Sequence, residues 1–210
     1  MKELFSREKW RYLFYTVSHP ADGYYWIRHQ DRGSVPIALL LVVLFSLSFS
    51  LNRMYASFVV NPVNPMTVNS LTELLAVLLL FFILCVGNWS VTCLMGGEGR
   101  FKDIVIAVGY AMLPLIATLA LATLVSLLIA ENEEAFYTLI LAAGIAYGAV
   151  MALIGIMQVH SYTLGKTLGT LLLTLAAMLI IIFLTLLFLN LISGVTGFFK
   201  SVYTELIFRT

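Results

Sequence analysis

Five stretches of this chain, residues 35–51, 71–95, 104–130, 136–159 and 168–192, are almost uninterrupted runs of apolar side chains. A helix needs roughly 20 such residues to cross a hydrocarbon layer about 30 Å thick. Inside that layer each backbone N–H and C=O has to be satisfied within its own segment, so the α-helix is the form each run takes. The predicted fold is therefore all-α, a polytopic membrane bundle of five transmembrane helices. Composition agrees: 61% of the 210 residues are hydrophobic and 11% charged, against roughly half and a quarter in soluble domains.

The ends of the runs carry their own signals. Ser70-Leu71-Thr72-Glu73 has the S-x-x-E form of a capping box and starts the second run. Asn61-Pro62-Val63-Asn64-Pro65 cannot continue a helix, Gly96-Gly97-Glu98-Gly99 stops the second run, and Glu131-Asn132-Glu133-Glu134 separates the third from the fourth. Three parts follow: an N-terminal segment 1–34, a five-span domain 35–195, and a C-terminal tail 196–210.

Six Lys and Arg precede the first run (Lys2, Arg7, Lys9, Arg11, Arg28, Arg32), and the later loops hold one, two, none, one and two. The positive-inside rule then puts the N-terminus in the cytoplasm and, with five spans, the C-terminus outside. Some 34 largely polar and aromatic residues before the first run are unlike a cleaved signal peptide, so that span is expected to be retained. Trp10, Leu13, Phe14 and Val17 follow helical spacing among basic residues, which predicts an interfacial amphipathic helix lying flat on the cytoplasmic face. Tyr24, Tyr25 and Trp26 read as interfacial aromatics, and residues 198–208 as a second amphipathic helix on the opposite face.

A net charge of +1 gives no field for nucleic acid. Cys85 and Cys93 share one run, about 12 Å apart along a helix, too far to bridge. His19, His29 and His160 show no metal-ligand spacing, and no nucleophile stands beside a base, so neither catalytic, metal nor cofactor residues are assigned and an enzyme is not expected. No ionisable residue falls at mid-depth in a run, which speaks against an ion pump. The polar residues to watch in the spans are Asn88 and Gln158. Pro114 removes a backbone hydrogen bond inside the third run and predicts a kink. Gly144 and Gly148 form a G-x-x-x-G pair that Ala152 extends, a small-residue stripe for close helix packing, within the chain or between copies.

Gly96-Gly97-Glu98-Gly99-Arg100-Phe101-Lys102-Asp103, followed by Val108-Gly109-Tyr110-Ala111-Met112-Leu113-Pro114, resembles the centre of the Yip1 domain. In that family a short glycine-containing cytoplasmic loop leads into a span with a Gly-Tyr-Ala and Pro pattern. The residues carrying the likeness are Gly96, Gly97, Gly99, Gly109, Tyr110 and Pro114. Gln158-Val159-His160-Ser161-Tyr162-Thr163-Leu164-Gly165-Lys166 is similar to the family's loop between the fourth and fifth spans. The longer N-terminal region and the Asp-Leu-Tyr-Gly-Pro motif of eukaryotic members are not present, so the resemblance is to compact bacterial members.

The resemblance, with the lack of a catalytic constellation, implies a non-catalytic protein of the bacterial plasma membrane. Its expected contacts are the lipid bilayer and a membrane-protein partner or further copies of itself, as an adaptor or transporter accessory subunit. The rival expectation is a small transporter or lipid scramblase with a groove near Asn88, Thr92, Gln158 and Pro114. Glu98, Arg100, Lys102, Asp103, His160 and Lys166 should meet the N-terminal segment on one face, as a docking surface for a partner or as solvated loops.

Overall fold

The computed structural model describes residues 6–209, with Glu131 and Arg209 by backbone alone. Lys2 and the outermost parts of the two flanking segments, residues 1–5 and 210, lie outside the described residues. Among these there are eight α-helices: α1 (Arg7–Ser18), α2 (Pro20–Gln30), α3 (Val35–Tyr55), α4 (Ser70–Leu94), α5 (Phe101–Tyr110), α6 (Met112–Ser126), α7 (Glu134–His160) and α8 (Leu164–Arg209). Five runs are long and apolar enough to cross a membrane, namely α3, α4, α5 continued by α6, α7 and α8. The spans alternate in direction, so the N-terminal ends of α3, α5 and α8 share one end of the bundle with Arg28, Arg100, Lys102 and Lys166; this is called the basic end below.

At the centre of the bundle is α5, apolar on every side from Ile104 onward, with residues 103–110 all buried. Lipid is as apolar as leucine, so what holds such helices together is close packing of backbones, which small residues permit. A Cβ on Gly109 would lie 2.7 Å from Ala38 Cβ of α3, and one on Gly155 would lie 3.1 Å from Ala107 Cβ of α5. The Gly144–Gly148 stripe meets α6: a Cβ on Gly144 would strike Thr118, and one on Gly148 would lie 3.1 Å from Leu115 Cγ. Ala152 continues the stripe, half-buried against the core. The stripe is thus filled by the chain's own α6 and is closed to a second copy. Pro114, half-buried, follows an interruption of the third span at Ala111; its missing N–H leaves the carbonyl of Tyr110 without its usual helical donor.

The end opposite the basic one is tied by polar contacts between spans. Tyr137 donates to Asn52 Oδ1 (2.9 Å), Asn52 donates to Thr123 Oγ1 (2.9 Å), and the backbone N–H of Ser57 donates to Ser126 Oγ (3.1 Å). Glu73 belongs here and not to a capping box. The N-cap of α4 is Asn69, whose side chain accepts from the N–H groups of Leu71 and Thr72. With those donors satisfied, the Glu73 carboxylate turns to Arg53 and to the hydroxyl of Ser50, both on α3.

Both flanking segments differ from the sequence expectation. Instead of lying flat, α1 and α2 form an antiparallel hairpin that runs down the side of α7. Tyr12 donates to the carbonyl of Gly23 (2.8 Å), and Tyr147 donates to the carbonyl of Val17 at the hairpin tip (2.6 Å). Tyr147 is the middle of α7, 13 residues from His160 and so about 20 Å below the basic end. Leu13, Tyr24 and Ile27 are completely buried, and Tyr24, expected at a lipid interface, donates to the carbonyl of Ala107 (3.2 Å). The groove beside α5 and α7 removes these side chains from water more fully than a membrane surface does.

No boundary occurs at residue 195 either. The last helix continues through Gly194 and Gly197 to Arg209. Each glycine costs roughly 1 kcal/mol in a helix, too little to break one that has no proline there.

Candidate functional site

Two helices end side by side at the basic end. Gly96 has φ +66°, in the left-handed region, and Gly97 N–H donates to the carbonyl of Thr92 (2.8 Å), which closes α4 in a Schellman-type turn. Tyr162 N–H donates in the same way to the carbonyl of Met157 (3.0 Å), closing α7 around Ser161 at φ +56°.

The two turns interlock through His160. Its ring is 1% exposed, and its Nδ1 accepts from Gly99 N–H (3.1 Å), which assigns the ring proton to Nε2. A Cβ on Gly97 or on Gly99 would each come within 2.6 Å of the imidazole, so both positions have to be glycine for the loop to close over it. Tyr162 stacks on the other side with ring centroids 5.3 Å apart, and its hydroxyl donates to the carbonyls of Thr92 and Met95 (both 3.4 Å). Lys166 Nζ sits 4.2 Å above the Tyr162 ring. Burial raises the Tyr162 phenol above its ordinary range.

Beside this pair an ionic network joins the loop to the hairpin. Arg100 Nε donates to Asp103 Oδ2 (2.8 Å), and Arg100 Nη2 donates to Asp31 Oδ1 (2.6 Å) and to the carbonyl of Arg28 (3.3 Å). Lys102 Nζ reaches the same Asp31 oxygen at 2.9 Å. Hydrogen bonds from Lys102 and Arg100 hold the Asp31 carboxyl below the usual carboxylate range, and Asp103, first of its partners, raises Arg100. Lys9 Nζ then donates to the carbonyls of Asp31 (2.6 Å) and Gly33 (2.9 Å), which fastens α1 to the turn before α3. Burial lowers the Lys9 pKa.

The residues singled out from the sequence fall into separate groups. Gly97 and Gly99 pack on His160, Gly96 supplies the positive φ, and Gly109 meets α3. Tyr110 is buried, and its hydroxyl accepts from Ser34 N–H (3.1 Å). Asn88, 1% exposed, donates to Thr174 Oγ1 of α8 (3.2 Å), while its buried Oδ1 has no hydrogen-bond partner among the described residues. Gln158 is half-buried at the end of α7. Of the loop residues expected to form one face, Asp103 and His160 are closed in, whereas Glu98, Lys102 and Lys166 stay exposed. Asp31, Lys9 and Tyr24 were missed as parts of this cap. Arg100 and Asp103 stand three apart at a helix start, within reach of each other along the chain, but the bond from Arg100 to Asp31 crosses 69 residues.

A five-span α-helical bundle with an inserted N-terminal hairpin and an interlocked pair of loops at its basic end defines an integral membrane protein whose polar residues chiefly hold its own helices in register. The Yip1 domain model matches residues 14–187, most of the chain, and the chain belongs to that family. The match runs from the middle of α1 into α8 and takes in both turns around His160. Comparison with curated proteins and with solved structures returns no match.

Proposed function

We propose that this Yip1-domain protein is a non-catalytic membrane protein that acts by binding other membrane proteins, as an adaptor or accessory subunit, in a bacterial plasma membrane with its basic end cytoplasmic. The observation that carries this reading is the last helix. α8 has 46 residues, about 69 Å at the helical rise, more than twice the hydrocarbon thickness. Its contacts with the bundle are made early: Thr167, Thr170 and Thr174 are buried, Ile181 and Ile182 half-buried, and every residue from 183 to 208 is exposed. The family match ends at residue 187, close to where the helix leaves the bundle. A long apolar helix whose second half is exposed supports a role in association. The orientation rests on the excess of Lys and Arg at the basic end.

A transporter or scramblase with a groove near Asn88, Thr92, Gln158 and Pro114 is the weaker reading, because Asn88 and Thr92 are 1% exposed, Asn88 is bonded to Thr174 of α8, and Gln158 and Pro114 are half-buried. Purification in mild detergent from native membranes tests the proposal, with the full chain beside a chain ending at Ile182. The expected result is a stoichiometric membrane-protein partner, or a further copy, that is lost with the truncation, and liposomes that do not scramble lipid. A full chain that runs as a partnerless monomer, or one that translocates lipid in liposomes, overturns it.

A further inference from the structure

Between α1 and α2 lies an open cleft of about 560 Å³. Lys9, Arg11 and Arg32 line it together with Tyr12, Tyr15 and Trp26. The acids nearby do not neutralise it. Asp31 is engaged by Arg100 and Lys102, and among the described residues neither Arg11 nor Arg32 has a carboxylate within ion-pair distance. Glu8 also lines the cleft, which leaves its two guanidinium groups with one carboxylate not already engaged by Arg100 and Lys102. Arg32 is held over aromatic faces, 5.7 Å from the Tyr12 ring and 5.9 Å from the Trp26 ring, so its planar donors are set in place before any ligand arrives. Lys9, fixed by two carbonyls, adds positive field at the mouth.

The lining is also graded by depth. Lys9 is bonded to Gly33, level with the start of α3 at the basic end, whereas Tyr15 lies six residues further along α1, about 9 Å deeper. Beside these, Phe14 and Tyr25 are exposed. Cations at the mouth, amphipathic aromatics beneath them and apolar side chains outside reproduce the order of a bilayer leaflet from phosphate through glycerol to acyl chain. A soluble phosphate satisfies only the mouth. We infer that this cleft binds the phosphodiester headgroup of an anionic phospholipid, with Arg11 and Arg32 donating to phosphate oxygens and Tyr12, Tyr15 and Trp26 against the glycerol and first methylenes.

Native mass spectrometry of the full chain released from micelles tests this, titrating phosphatidylglycerol against phosphatidylcholine of the same chain length, and then glycerol phosphate as a soluble competitor. A one-to-one phosphatidylglycerol adduct is expected at about tenfold lower concentration than the phosphatidylcholine adduct, with Arg11→Gln and Arg32→Gln each weakening it about tenfold, the order of a charge-assisted hydrogen bond. Arg7→Gln, on the same helix but outside the cleft, is the control for diffuse attraction and should change binding by less than about twofold. Equal loss in Arg7→Gln, or equal binding of the two lipids, overturns the site; competition by glycerol phosphate as effective as that by lipid overturns the lipid as its source. Arg11 is exposed and pairs with no carboxylate among the described residues, so Arg11→Gln reads the site even if Arg32→Gln disturbs the hairpin.

Discussion

At the scale of single residues, two glycines of the same chain should answer substitution with opposite signs. Gly99→Ala places a Cβ within 2.6 Å of both Val159 and His160, atoms packed between two helix ends, and should lower stability by about 1–3 kcal/mol. Gly169, inside α8, has nothing within 4 Å of an added Cβ, and Gly169→Ala should raise stability by about 0.5–1 kcal/mol through the unfolded chain. Thermal unfolding in detergent reads both, and His160→Ala should relieve much of the Gly99→Ala loss if the imidazole is the obstacle. A second residue-scale effect concerns pH. Asp31 has a folded pKa below its unfolded one, so its contribution is complete above the ordinary carboxylate range near 4 and is lost as pH falls through the lowered value. Asp31 is more than half exposed and solvent screens the pair, so the gain is at most about 1 kcal/mol. The stability gap between wild type and Asp31→Asn should therefore be open at neutral pH and close below that range. The glycines of the loop were legible as a helix stop; their service to His160 was not, because the imidazole comes from 61 residues away. Glu73 misled for the same reason: its pattern fits a cap, and only the position of α3 shows Arg53 to be its partner.

At the scale of elements, the five spans were readable because a long apolar run in lipid has one backbone solution. Their packing faces were partly readable, since Gly144 and Gly148 announce close approach without saying to what. The hairpin was not. The polar groups of α1 and α2 suggested a surface helix, whereas much of that polarity is spent internally, with Tyr12 bonded to Gly23, Lys9 to two carbonyls, and Thr16 against Gly23. Amphipathic periodicity gives the direction of the apolar face, not whether lipid or protein will cover it. Cysteine labelling separates the two arrangements. In a chain with Cys85→Ala and Cys93→Ala, a cysteine replacing Ser18 at the tip should resist a membrane-impermeant maleimide added from either side, while one replacing Gln30 should react from the basic side. Rapid labelling of both would return α1 to the membrane surface.

For the molecule as a whole, the unresolved balance is between the length of α8 and the thickness of the bilayer. Even tilted by 40°, near the limit for membrane helices, a 30 Å layer takes up only about 26 residues, and 20 of the 46 remain. Lipid alone cannot cover such a helix. Its exposed half is apolar on most sides, yet Asn190, Gly194, Gly197, Ser201 and Thr204 recur at intervals of four, three, four and three residues, so they fall on one stripe. Small and polar side chains along one line of an apolar helix are the means by which a second helix approaches closely in a membrane, and Asn190 supplies a hydrogen bond that lipid cannot return. The proposed partner should lie there, whether it is another protein or a second copy in the parallel orientation that a shared membrane imposes. Single cysteines placed at 190, 194, 197 and 201 in the cysteine-free chain should form cross-linked species in native membranes, and those at 188, 192, 199 and 203 should not. Cross-linking that follows this spacing with a mass of two chains identifies the second copy, a larger or smaller mass identifies a different partner, and cross-linking without periodicity leaves the helix with no preferred face and removes the basis of the adaptor reading.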